Sequence, residues 1–143
     1  MRNEGIDIDT VNALQGVSTG SAFIISQENG ENSIILDGGA NMAYTESISD
    51  DWKRAIAQSS LLLLQREVPE RINILSAKHA HDNGVLVILD MGGRDDPITS
   101  KLISLCDIIS PNSTEVVRLI PADQSQDEET KVEPKFCSDE RMA

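Results

Sequence analysis

Three short apolar runs, each ending at a polar or acidic residue and each followed by a helical pattern, constrain this chain more than any other feature. The first is Leu61-Leu62-Leu63-Leu64-Gln65, with Glu67 two residues beyond it. The second, Val85-Leu86-Val87-Ile88-Leu89, closes on Asp90. The third, Asp107-Ile108-Ile109-Ser110, runs into Pro111-Asn112-Ser113-Thr114-Glu115. Such runs read as buried strands. Strand and helix alternating over short connections predict parallel strands with right-handed crossovers, an α/β fold. In open sheets of this kind the ligand lies outside the carboxyl ends of the strands. Glu67, Asp90, Asn112 and Glu115 are therefore expected along one edge, which makes a small-molecule enzyme the leading reading.

The connecting segments carry helix signals. One helix is expected from about Thr45 or Ser49 to Gln58, with Ala55 and Ile56 near Trp52 on one face and Lys53 and Arg54 toward water. The next starts at Pro69, suited to a first helical position, and runs to Asn83. It carries Ile72, Leu75 and His79 on one stripe and ends at Gly84. A brief third helix is expected over 98–105. A fourth begins with Asn112 or Ser113 as cap and carries Val116, Val117, Leu119 and Ile120.

Ahead of this region stands a hairpin. Ala22-Phe23-Ile24-Ile25 and Ser33-Ile34-Ile35-Leu36 flank Glu28-Asn29-Gly30-Glu31, and Asn-Gly between apolar runs is a strong turn signal because both residues tolerate positive φ. The loop Asp37-Gly38-Gly39-Ala40-Asn41 joins it to the rest. A small antiparallel sheet serving as a flap over the site is the expected outcome. Residues 1–20 read as polar and turn-rich, and 122–143, with seven acidic and three basic residues and no periodicity, as a disordered acidic tail.

Charge narrows the partners. The chain carries 12 basic and 24 acidic side chains over 143 residues, a net charge of −12. Such a surface repels phosphate backbones and anionic lipid, so neither nucleic acid nor membrane is expected as a partner. No apolar run approaches the ~18 residues of a membrane span, and Met1-Arg2-Asn3-Glu4 does not open a secretory signal. Cys106 and Cys137 have no Cys-x-x-Cys spacing; Cys106, beside a strand, reads as a small buried apolar residue. A reducing, intracellular compartment, with the cytoplasm the leading choice, fits best.

Each candidate site residue has a structural reading beside the chemical one. An ionised Glu67 accepts hydrogen bonds and so suits a polyol, or it is a solvated loop residue favouring a helix N-terminus. Asn112-Ser113-Thr114-Glu115 is a capping box, or a helix start that attracts phosphate while Glu115 holds magnesium through water. Both can hold together. Gly92-Gly93-Arg94-Asp95-Asp96 matches neither nucleotide fingerprint and reads as a surface loop. His79 and His81 point to different helix faces and make no metal pair. No residue is assigned as a catalytic nucleophile or base.

Several blocks together resemble a known family. Ser18-Thr19-Gly20 before Ala22-Phe23-Ile24-Ile25, then Glu28-Asn29-Gly30-Glu31-Asn32, Gly38-Gly39-Ala40-Asn41, Leu63-Leu64-Gln65-Arg66-Glu67, and Asp107-Ile108-Ile109-Ser110-Pro111-Asn112-Ser113-Thr114-Glu115 stand in the order and spacing of the middle of the ribokinase-type (PfkB) sugar kinases, which include adenosine kinase and fructokinases. The resemblance covers about residues 5–120. It implies a three-layer α/β unit with a partly parallel sheet and a small antiparallel β-lid at about 18–41, truncated, within a partial kinase domain over 1–121. It implies ATP-dependent phosphorylation of D-ribose at the 5-hydroxyl, with Mg2+ and with K+ as activator. Glu67 matches the residue that binds a ribose hydroxyl. Ala22 and Ile24 match lid positions that close apolar surface over the sugar. Asn112 and Glu115 match the Asn-x-x-Glu motif that positions phosphates and the magnesium hydration shell. Pairing of lid strands implies a homodimer.

Departures from the family shape a second expectation. The N-terminal sugar-binding segment, with its Asp and Gly-Gly pair, and the Gly-Ala-Gly-Asp motif that supplies anion hole and base have no counterpart here. Removing one transition-state donor alone costs ~10²–10³ in rate. The chain is thus expected to be a kinase fragment, weakly active or inactive alone. The alternative is a non-catalytic interaction protein whose hairpin, with Ile25, Ile34 and Leu36 at an edge that needs covering, pairs with a full-length kinase by strand addition.

Overall fold

The computed structural model describes residues 1–44, 46–93, 96–113 and 115–116. The expected hairpin forms from β1 (Ser21–Ser26) and β2 (Asn32–Asp37), paired antiparallel with Ala22 opposite Leu36 and Ile24 opposite Ile34. Its turn differs in detail from the Asn-Gly expectation. Only Gly30 takes positive φ, at 85°, while the Asn29 carboxamide oxygen accepts from the Glu31 N–H at 3.0 Å. The loop spans Gln27 to Glu31, whose backbone bond of 2.8 Å closes it, so Asn29 works through its side chain and not through a left-handed backbone.

The second sheet has three parallel strands in the order β3 (Leu61–Leu64), β4 (Leu86–Asp90), β5 (Ile108–Ser110). Leu64 pairs with Leu89 and Asp90 with Ser110, so the three strands end nearly level and their carboxyl ends make one edge. Side chains alternate across the sheet. Leu64, Val87 and Leu89 are buried on one face; on the other, Leu61, Leu63, Leu86 and Ile108 are exposed.

Helix α1 (Asp50–Ala57) starts where Ser49 Oγ accepts from the Trp52 N–H at 3.1 Å, which decides between the two starts the sequence allowed. Helix α2 (Glu70–Asp82) packs on β3, β4 and α1. Pro69 lies one residue outside it, with ψ 131°, and Gly84 follows its end with φ +70°. Helix α3 (Ser100–Ile103) is shorter than the expected 98–105, because Thr99 caps its start and Ser104 ends it. Ile72, Ala77 and Ala80 of α2 meet Leu64, Val87, Leu89, Met91 and Leu102 in the core. Ser113, Glu115 and Val116 are helical, as the start of a fourth helix requires. The rest of that helix and the acidic tail lie outside the described residues. Among the described residues no helix is long and apolar enough to cross a membrane.

Candidate functional site

Glu67 follows β3 on a loop held at two neighbouring points. The buried Asn73 of α2 donates its side-chain amide to the Gln65 carbonyl at 2.7 Å. Arg66, only 4 % exposed, donates to the Asp96 carbonyl at 2.6 Å and so ties the end of β3 to the loop after β4. With the two residues before it held in this way, Glu67 itself stays exposed and projects from the carboxyl edge.

The hairpin reaches this edge because two glycine-rich segments cross beneath it. The Ala40 N–H donates to the Ser18 carbonyl at 2.8 Å, and Gly39, at φ +47°, lies so close that an added Cβ would come within 2.5 Å of that oxygen. A side chain at Gly20 would likewise meet the Gly38 carbonyl at 2.8 Å. The close crossing sets the root of the hairpin beside Glu67.

Between them is a cavity of about 410 Å³. Ala22, Leu36 and Met42 line its apolar side; Asp37, Asn41, Arg66 and Glu67 supply its polar atoms, and Gly93 closes it. A cavity with few convergent polar groups on an apolar wall suits a small ligand carrying hydroxyls. A second hollow, about 670 Å³, shares Asn41 and Glu67 and continues past Gln65 to Asp90 and Ser110 along the strand ends.

Asn112 and Glu115 stand off the end of β5 and do not line the first cavity. They form the reciprocal box: the Asn112 N–H donates to Glu115 Oε2 at 2.8 Å, and the Glu115 N–H donates to Asn112 Oδ1 at 2.9 Å. The buried Glu115 carboxylate is not remote from the edge. A Cβ built on Gly92 would lie 3.1 Å from Asp90 Oδ1 and 3.9 Å from Glu115 Oε1, so both carboxylates face the same short turn.

Of the residues singled out from sequence, Glu67 and Ala22 therefore meet in one cavity. Ile24 shares Ala22's face of the hairpin but lies further out, 61 % exposed. Sequence reasoning overlooked Asp37, Asn41, Met42, Arg66 and Gly93. The Gly-Gly-Ala-Asn block was the one local signal that could have pointed to Asn41; the others reach the cavity only through tertiary contacts.

The fold and cavity define an α/β architecture in which a parallel sheet's carboxyl edge and a small hairpin enclose a ligand-sized space. The chain belongs to the PfkB carbohydrate kinases: the pfkB family carbohydrate kinase model matches residues 1–136. Ribokinase of Arabidopsis thaliana is 47 % identical over 116 residues, covering 80 % of this chain and 31 % of that protein. Ribokinase of Haemophilus influenzae is 41 % identical over 112 residues, covering 78 % of this chain and 36 % of its own length. The structure of Arabidopsis thaliana ribokinase complexed with ribose and ATP superposes with a TM-score of 0.75 at 46 % identity, over 80 % of this chain and 37 % of that one. The chain thus spans about a third of the length of the curated relatives it matches.

Proposed function

We propose that this chain is the sugar-edge portion of a carbohydrate kinase that phosphorylates D-ribose at its 5-hydroxyl with ATP. The observation that carries this reading is the cavity itself, where the Glu67 carboxylate faces apolar Ala22 and Leu36 of the hairpin. A pentose presents hydroxyl donors on its rim and C–H groups on its faces. Glu67 accepts the former, and Ala22, with Ile24 at the rim, covers the latter. The likeness to a ribokinase bound to ribose and ATP supports the same pair of ligands here.

Asn112 and the helix start after β5 are assigned the phosphate end of ATP, since helix N-termini favour anions. Asp90 and Glu115, both facing Gly92, fit a hydrated Mg2+, whose role is to neutralise charge on the transferring phosphoryl group. K+ enters as an activator through the family alone. Phosphoryl transfer depends on positioning and charge stabilisation, and no Gly-Ala-Gly-Asp motif occurs within these 143 residues. Their part is therefore to bind and orient, with weak turnover or none by this chain alone. A reducing intracellular compartment, the cytoplasm first, suits its two cysteines.

Titrating D-ribose into the chain and into Glu67→Ala, beside ribose-dependent ADP release with ATP, Mg2+ and K+, tests the assignment. Binding in the former and at least tenfold weaker binding in the latter is expected. Equal affinities would sink it.

One observation favours a second reading. Every residue of β1 and β2 is exposed, and Phe23 and Ile35 present an apolar face opposite the one that carries Ala22 and Leu36. A hairpin apolar on both faces suits pairing, as a homodimer or as a non-catalytic partner of a full-length kinase. Light scattering of the chain alone and mixed with a full-length ribokinase separates these. A monomer in both would remove the pairing.

A further inference from the structure

The turn after β4 bears on Glu67 in a way the sequence did not suggest. Gly93 has φ +86°, and a Cβ there would fall 2.3 Å from Glu67 Oε1, 2.4 Å from Cδ and 2.9 Å from Cγ. The Glu67 carboxyl group occupies the space that a side chain at 93 would need. Gly84 and Gly30 also have positive φ, yet an added Cβ at either would meet nothing within 4 Å. Backbone conformation accounts for those two; at Gly93 the close approach of a carboxylate is added. Gly93 and Glu67 line the same cavity, and the turn is itself anchored, by the Gly92 N–H donating to Asp90 Oδ1 at 2.8 Å and by Arg66 on the Asp96 carbonyl.

We propose that Gly93 is a positioning residue for Glu67: its bare backbone is the shelf that holds the carboxylate at the hydroxyl side of the cavity, and so helps determine which sugar is accepted. The role in sugar choice rests on Glu67 being a sugar ligand, the reading given above. The physical reason is pre-organisation. A glutamate has three rotatable side-chain bonds, and an unsupported one gives up that freedom each time it binds. The bare backbone at Gly93 leaves the carboxyl group its place against the turn. Any side chain at 93 pushes it away, toward the strand ends or out of the cavity.

The test uses the full chain labelled with 13C at glutamate carboxyls, with the Glu67 resonance assigned by its loss in Glu67→Ala. Gly93→Ala is expected to move that resonance and to weaken D-ribose binding at least tenfold. Gly84→Ala imposes similar left-handed strain with no neighbour to displace, and is expected to do neither. Gly93→Asn keeps the steric conflict in a residue that tolerates this backbone, so it serves should Gly93→Ala not fold. An unmoved Glu67 resonance in a folded Gly93 variant would overturn the proposal, as would equal loss of ribose binding in Gly84→Ala. If the unaltered chain binds no ribose, the role in sugar choice falls with the sugar reading of Glu67. The resonance still decides whether Gly93 positions that carboxylate.

Discussion

Asn112 and Glu115 exchange three hydrogen bonds that involve a side chain, across the first turn after β5. The Asn112 N–H reaches Glu115 Oε2 at 2.8 Å, the Asn112 carboxamide donates to Oε1 at 2.8 Å, and the Glu115 N–H returns to Asn112 Oδ1 at 2.9 Å. Both carboxylate oxygens are thus engaged while each keeps acceptor capacity for a water.

This double duty separates two variants. Glu115→Ala removes both acceptors and is expected to cost about 1–2 kcal/mol, as the loss of a cap does. Glu115→Gln keeps one acceptor and the side chain's bulk but loses the charge. It should melt between the native chain and Glu115→Ala, yet lose most of any Mg2+-dependent gain in ATP binding. Thermal unfolding with a Mg2+ titration measures both. An unchanged Mg2+ response in Glu115→Gln would leave Glu115 a cap and nothing more.

Adjacent leucines of β3 face opposite ways, and their variants should differ accordingly. Leu64, 8 % exposed, packs in the core, whereas Leu63 is 68 % exposed. Leu64→Ala is expected to destabilise by about 2–4 kcal/mol through lost contacts and a residual cavity. Leu63→Gln should stay within about 0.5 kcal/mol of the native chain. Urea unfolding of the two variants checks this; a large loss in Leu63→Gln would mean that the exposed face is covered in solution.

Trp52 fastens the N-terminal segment to α1. Its indole N–H donates to the Thr10 carbonyl at 3.0 Å, and its ring lies 4.8 Å from that of Tyr44. Trp52→Phe keeps the ring contact and drops the hydrogen bond. The expected cost is about 1 kcal/mol, with faster amide exchange confined to residues near Thr10. Exchange rising uniformly through α1 and α2 would show instead that the indole's bulk is what matters.

Sequence pattern found the elements because each carries a local signal. The leucine run of β3 and the Val-Leu-Val-Ile-Leu run of β4 flank a helix that Pro69 and Gly84 delimit, and Ser49 marks the start of α1. The edge residues followed from parallel topology, since strands ending in register bring Glu67, Asp90 and Ser110 to one side. What the pattern could not contain were contacts between distant segments. Arg66 looks like a surface arginine in a polar loop, yet it is buried through a bond to residue 96. Gly92-Gly93 reads as a surface loop until the Glu67 carboxyl is seen against it. Asn29 illustrates the limit of a local rule: the hairpin forms where expected, but a longer loop spares Asn29 the left-handed backbone that the dipeptide suggests.

Cys106 offers a prediction in pH. Its thiol donates to the Leu102 carbonyl at 3.2 Å, and burial, with a smaller contribution from the adjacent Asp107 carboxylate, raises its pKa above the ordinary thiol value. A raised pKa means less thiolate at any given pH, and thiolate is the species that alkylates. At pH 8 iodoacetamide should therefore modify Cys106 more slowly than a free thiol such as glutathione. The gap should narrow as pH rises toward the folded-state value and close when urea unfolds the chain. Mass spectrometry of the Cys106 peptide follows it separately from Cys137. Cys106 is half-buried, less than the sequence suggested, and modification as fast as glutathione's in the folded chain at pH 8 would show that the thiol is neither shielded nor bonded as described.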